Sequence, residues 1–273
     1  MGELLYLYGL IPTKEAAAIE PFPSYKGFDG EHSLYPIAFD QVTAVVSKLD
    51  AETYSEKVIQ EKMEQDMSWL QEKAFHHHET VAALYEEFTI IPLKFCTIYK
   101  GEESLQAAIE INKEKIENSL TLLQGNEEWN VKIYCDDTEL KKGISETNES
   151  VKAKKEEISH LSPGRQFFEK KKIDQLIERE LELHKNKVCE EIHDKLKELS
   201  LYDSVKKNWS KDVTGAAEQM AWNSVFLLPS LQITKFVTEI EELEQKLENK
   251  GWKFEVTGPW PPYHFARSES DVG

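Results

Sequence analysis

Along the chain, the spacing of apolar and polar positions changes period several times, and each change predicts an element. Leu4–Ile11 alternates and stops at Pro12, the mark of a strand, and the Pro21, Pro23, Gly27 and Gly30 cluster after it reads as a surface loop. Leu34–Phe39 and Val42–Leu49 predict two strands joined at Asp40-Gln41, a hairpin without the favoured Asn-Gly or Asp-Gly turn. From Ser55 as N-cap the period lengthens. Ile59, Met63, Met67, Leu70, Ala74, Val81 and Phe88 recur at three, four or seven positions and predict one long helix to about Phe88, with a face on the sheet. Ile90–Tyr99 is extended and apolar, and Pro92 near its start makes it an edge strand or a strand entrance. Glu102–Leu123 predicts a second amphipathic helix, with Leu105, Ile109, Ile116, Leu120 and Leu123 inward and Gly125 as its stop. These elements close a first α+β domain over residues 1–126.

The pattern then changes in kind. Trp129–Cys135 predicts a strand, and Asp137 is a candidate cap for the next helix. Thr138 to about Ile158 favours helix but carries few large apolar residues, which predicts a solvated arm. Ser162-Pro163-Gly164 reads as a turn, and Phe167–Leu199 as a second long helix with Ile173, Ile177, Leu181, Val188, Ile192, Leu196 and Leu199 on one side. Together they predict a projecting helical hairpin over about 138–199, partly coiled-coil in character. Tyr202–Trp209 and Ala221–Leu228 predict strands, Thr234–Lys250 a helix ended by Gly251, and Trp252–Thr257 a last strand stopped by Gly258-Pro259. The fold class is therefore α+β in two domains. The second, residues 127–257, matches the ferredoxin-like βαββαβ plan with its first crossover extended into the hairpin.

Residues 258–273 form a tail whose final residues are expected to be disordered. Its Pro259-Trp260-Pro261-Pro262-Tyr263-His264-Phe265 run lacks the amide donors of regular structure. Each large ring buries about 150–250 Å² when it finds a pocket, so the segment must dock, on its own chain or on a partner.

Composition narrows the class. The chain of 273 residues is 40% hydrophobic, a globular proportion, and no run approaches the roughly 20 apolar residues of a membrane span. Met1–Tyr6 lacks the basic region of a secretion signal, so a cytoplasmic protein is expected. Cys96, Cys135 and Cys189 are odd in number and widely spaced, which fits reduced, buried thiols. A net charge of −17 argues against nucleic acid as a partner. The charge is uneven: residues 50–130 hold 17 acids against 7 bases, and residues 151–200 hold 11 against 12.

Candidate chemistry is sparse. In His76-His77-His78, successive helical side chains point about 100° apart and cannot converge on one ion, so a satisfied core histidine is the ordinary reading. The pairs Glu72/His76, Glu180/His184 and Cys189/His193 have ligand-compatible spacing but leave a site incomplete, and solvated charge pairing is expected on the hairpin helix. Asp136-Asp137 at a strand end is what helix capping predicts. Phosphate-binding glycine loops, a zinc-protease motif and a nucleophile elbow are all missing from the sequence. The residues favour a binding or assembly protein over a catalyst, with no cofactor and no metal.

Three segments carry a resemblance: Leu5-Tyr6-Leu7-Tyr8-Gly9-Leu10, Ile91-Pro92-Leu93-Lys94-Phe95-Cys96-Thr97, and above all Gly251-Trp252 through Gly258-Pro259-Trp260-Pro261-Pro262-Tyr263-His264-Phe265. The chain resembles the gas vesicle protein F/L family over nearly its whole length. In the central motif Lys94 stands where the family usually has Arg, and Cys96 where it usually has Gly. Length and the long charged hairpin favour the L member. The resemblance implies a cytoplasmic, vesicle-associated accessory factor that binds the hydrophobic shell protein and other accessory proteins, with no catalysis, nucleic acid or membrane involved. It points to Leu93, Lys94, Phe95, Trp260, Tyr263, His264 and Phe265 as a protein-binding groove or, alternatively, a domain clamp. A hairpin that links accessory proteins without touching the shell protein, and a cryptic enzyme, are the other readings.

Overall fold

The computed structural model describes residues 3–247 and 250–266. The chain begins with β1 (Glu3–Pro12), the short α1 (Thr13–Ala16), β2 (Tyr35–Phe39), β3 (Val42–Asp50), α2 (Glu56–Gln65), α3 (Met67–Glu87), β4 (Ile91–Pro92), β5 (Ile98–Tyr99), α4 (Glu102–Ile111) and α5 (Lys113–Leu123). It continues with β6 (Asn126–Cys135), α6 (Asp137–Thr147), α7 (Glu149–Ser159), α8 (Pro163–Lys197), β7 (Tyr202–Val205), α9 (Lys211–Thr214), β8 (Gln219–Pro229), α10 (Ile233–Leu247) and β9 (Trp252–Trp260). Two compact units result, one of residues 1–128 with 259–273 and one of residues 129–258. The final residues of the tail, expected to be disordered, lie outside the described range.

In the first unit the sheet order is β2-β3-β1-β4, with β5 also paired to β1. The predicted hairpin is present: Phe39 pairs with Val42 across the two-residue turn, and Asp40 takes a positive φ of 55°, which a short polar side chain tolerates. β1 is buried on both faces, which its alternation alone does not predict. α3 packs on one face and α4 with α5 on the other, and a bulge between Leu7 and Gly9 sets which residues take which face. Tyr6 and Tyr8 join the core that includes Val81 and Leu84 of α3, while Leu7 lines a cavity with α4 and α5. Strict alternation would return Leu10 to the tyrosine face; the extra residue turns Leu10 to the side of Leu7 and Ile11 to the side of Tyr8. Gly9 sits within the bulge because a Cβ there would meet Ile90 Cδ1 at 2.4 Å.

Three helices predicted as continuous are broken, each at a short polar residue. Asp66 ends α2 and its carboxylate accepts the Trp69 amide, capping α3. The change of direction leaves Met63 and Met67 exposed, where unbroken periodicity puts them inward. Asn112 separates α4 from α5, and Asn148 separates α6 from α7 with its Oδ1 accepting the Val151 amide at 3.1 Å.

The second unit is built on a sheet of order β7-β8-β6-β9. Its core joins Val131, Ile133, Phe226 and Leu228 of the sheet to Leu181, Cys189, Ile192 and Leu196 of α8 and Phe236 and Ile240 of α10. The arm expected to be solvated buries Leu140, Ile144, Val151 and Ile158, spaced four, seven and seven apart, a narrow stripe against a neighbouring helix rather than a broad face. Ser162-Pro163-Gly164 is not a turn between helices but the start of α8, with Pro163 in its first turn where a missing amide costs nothing. The α6 cap is Asp136, one residue before the predicted Asp137; its Oδ1 accepts the Thr138 and Glu139 amides. β9 does not stop at Gly258-Pro259 but runs on to Trp260. As an outer strand it tolerates a proline without an amide, and a Cβ at Gly258 would meet the Trp129 ring at 2.6 Å.

Candidate functional site

The loop between β4 and β5 is held by a chain of hydrogen bonds through the first unit. Burial pushes the His77 pKa down to about 4, so the ring is neutral at ordinary pH. Its Nε2 lies 3.2 Å from the Leu93 carbonyl, which can only accept, so Nε2 carries the proton and Nδ1 accepts from the Tyr6 hydroxyl at 2.8 Å. The same hydroxyl accepts the Cys96 amide at 3.2 Å. Every polar atom of the set is thereby satisfied, as burial requires. Burial also pushes the Tyr6 phenol far above its usual range, so it stays a donor. Cys96 adopts a φ of 63°, a left-handed conformation that favours glycine.

The three successive histidines face three different groups. His76 meets the Tyr8 hydroxyl at 3.3 Å, His77 holds Tyr6 and Leu93, and His78 carries the tail. The Tyr263 ring stacks on His78 at 6.2 Å and 30°, and the Trp260 ring lies 6.0 Å from it. Pro261, Pro262 and Ala266 are buried. The tail closes into one turn in which Ala266 N donates to Pro262 O, while the His264 and Phe265 amides donate to Glu128 Oε2 at 2.9 and 3.2 Å. Glu128, 3% exposed, acts as the N-cap of this turn: a buried carboxylate accepting two amides. Sequence reasoning missed it. The one available signal is a glutamate directly before an apolar strand.

Beside this lies an apolar groove of about 220 Å³ between β1 and β4 on one side and α4 and α5 on the other. Leu7, Leu10, Leu93, Leu105, Ile109 and Ile116 line it together with the polar Asn112, Lys115 and Ser119 and with Ala266 of the tail. Of the residues singled out in the sequence, Leu93 lines the groove, and Phe95 packs inward, 6.0 Å from both Phe28 and His77. Lys94 is exposed, with its carbonyl accepting the Thr97 amide and hydroxyl. Trp260 and Tyr263 cover His78, and His264 and Phe265 reach Glu128 through their backbone. The two motifs thus meet at adjacent residues of α3.

Of the hairpin candidates, Cys189 and His193 belong to the core, Glu180 is partly buried and His184 is exposed. Cys189 is fully buried, and His193 Nε2 pairs with Asp203 at 2.9 Å. His184 sits edge-on to Trp252, and Glu180 accepts from Asn148. Burial pushes the Cys189 thiol up to about 12, and burial with a hydrogen bond to Asp137 does the same for Cys135. Such thiols are protonated and poor nucleophiles. Among the described residues no helix is long and apolar enough to cross a membrane.

The chain is 27% identical over 281 residues to gas vesicle protein L1 of Halobacterium salinarum, covering 98% of this chain and 91% of that one. It is 23% identical over 235 residues to gas vesicle protein L of a Streptomyces species, covering 85% and 82%. The crystal structure of the gas vesicle protein GvpF from Anabaena sp. superposes with a TM-score of 0.73 at 22% identity, covering 98% of this chain and 99% of that one. The two share a mixed helix and strand fold with two antiparallel sheets. With residues 4–267 matching the family model described as gas vesicle synthesis protein GvpL/GvpF, the chain belongs to that family.

Proposed function

We propose that this protein is an accessory factor of gas vesicle formation that binds the hydrophobic shell protein in the groove of the first unit. The observation that carries the reading is the groove itself, whose lining is mostly leucine, isoleucine and alanine, with Asn112, Lys115, Ser119 and Tyr99 adding polar groups. A shell subunit that will face gas exposes apolar surface before it is assembled, and such surface aggregates in water. A groove that shields it, on a chain of net charge −17, keeps the pair soluble. The bordering segments support the reading, since Leu93 and Ala266 both line the groove. Lys94, Phe95, Trp260, Tyr263, His264 and Phe265 then act as its frame, fixing the loop and the tail on either side.

Contacts with other accessory proteins fall, on this reading, to the helical arm of the second unit, which we read as a ferredoxin-like plan on its strand order β7-β8-β6-β9. The protein works in the cytoplasm, at the growing vesicle, and needs no catalytic group for this role.

The test is to fill the groove. Ala108→Trp and Ser119→Trp place a large ring in it from α4 and α5. The expected result is a folded protein, judged by circular dichroism, that no longer retains shell protein in a pull-down. Undiminished retention by both folded variants would overturn the proposal.

A further inference from the structure

At the start of α8 two aromatic rings stand exposed among basic residues. Phe167 and Phe168 are each 75% exposed, with their rings edge to face at 5.9 Å. Lys170, Lys171 and Lys172 stand three or four residues beyond one or the other, so each ring has lysines beside it on the helix. Arg165 lies in the first turn, which holds no acidic residue, although positive charge at a helix N-terminus is unfavourable. Residues 151–173 hold seven bases against three acids, in a chain whose net charge is −17. Local helix stability does not account for this arrangement.

The first unit carries its complement. α2 and α3, residues 56–87, hold eight acids against three bases. On α3 Met67 is 64% exposed and Phe75 61% exposed, eight residues or about two turns apart. Glu72 and Glu79 flank Phe75 at three and four residues. Methionine with aromatic rings forms an adaptable apolar contact, and the glutamates match the lysines of α8.

We infer that the α8 tip is a docking element for the acidic, methionine-bearing strip of α2 and α3 on a second copy of this chain. The contact joins two different surfaces, so it is head to tail: a pair keeps a free tip at one end and a free strip at the other, and association continues into rings or open chains. A patch this small with charged edges makes a transient contact, with Kd of about 10–100 µM, weakened by salt. The inference goes beyond shell-protein binding and does not depend on it.

Sedimentation of the full chain at rising concentration tests it. The weight-average mass should climb at low salt and fall back to the monomer in about 0.5 M salt, where screening is nearly complete. A tip variant, Phe167→Ala with Phe168→Ala and Lys171→Glu, and a strip variant, Phe75→Ser with Glu79→Lys, should each stay monomeric while melting close to the parent. Mixed together they should form a one-to-one heterodimer that grows no further, because one intact tip meets one intact strip. A monomeric parent at every concentration, self-association by the tip variant, or a tip that instead carries the protein onto anionic phosphatidylserine vesicles would each overturn the inference.

Discussion

Two aromatic groups in this molecule meet opposite fates. Trp260, at the end of β9, and Tyr263, in the turn whose amides end on Glu128, lie against His78; Phe167 and Phe168 stand bare at the start of α8. Side-chain chemistry does not separate them, since all four are large rings. What differs is the backbone. The tail has prolines that fix its path and a buried carboxylate that takes its amides, whereas the phenylalanines ride on a helix whose own hydrogen bonds are complete.

Breaking the cover of the tail has the largest expected effect. Glu128→Ala removes two hydrogen bonds to a buried carboxylate, those from the His264 and Phe265 amides, and at about 2 kcal/mol for each bond to a charged group should cost about 4 kcal/mol in urea unfolding, with Glu128→Gln, which keeps an acceptor, losing less. Next is the support beside it. His77 titrates near 6.5 in the unfolded chain and near 4 in the folded one. The unfolded state therefore binds the extra proton first, and stability that is full above pH 6.5 is lost as the pH falls toward 4. The change amounts to about 3 kcal/mol. His77→Asn, which keeps an acceptor near the Tyr6 hydroxyl but cannot take up the proton, should flatten this part of the pH profile at some loss of stability at pH 7. The smallest effect sharpens the comparison by relieving strain: Cys96→Gly at φ 63° should raise stability by about 1 kcal/mol, measured by thermal unfolding, with the loop unchanged.

The elements were legible in the sequence because their periods are. Both hairpin strands of the first sheet, the long helices and the final strand as far as Thr257 can be read from spacing alone, whereas the short α1 and α9 cannot, and the apolar run Ile90–Tyr99 is divided into β4 and β5. The helix breaks were not, and for one physical reason. Asp66, Asn112 and Asn148 each interrupt a helix while the apolar repeat resumes beyond them, so periodicity reads straight through a side chain that bonds the backbone at the break: Asp66 and Asn148 accept amides of the helix that follows, and Asn112 donates to the Ala108 carbonyl of the helix before it. The bulge at Leu7–Gly9 is equally silent, since it changes which face a residue takes and not whether it is apolar. In the tail, the density of rings announced burial but not the carboxylate that receives it. Cys96 gave a readable sign: a residue standing where the resembling family has glycine points to a left-handed backbone, and that is what the loop contains.

Glu128 and the residues it holds are far apart in the order of synthesis. The whole second unit, residues 129–258, is made between them. At ordinary elongation rates that interval is roughly ten seconds or more. Throughout it, residues 1–128 have emerged with His78 uncovered and the Glu128 carboxylate without the tail amides, while the second unit is contiguous and can be completed first. Any helper or partner that engages the nascent chain therefore meets a first unit whose aromatic cover is still to be made.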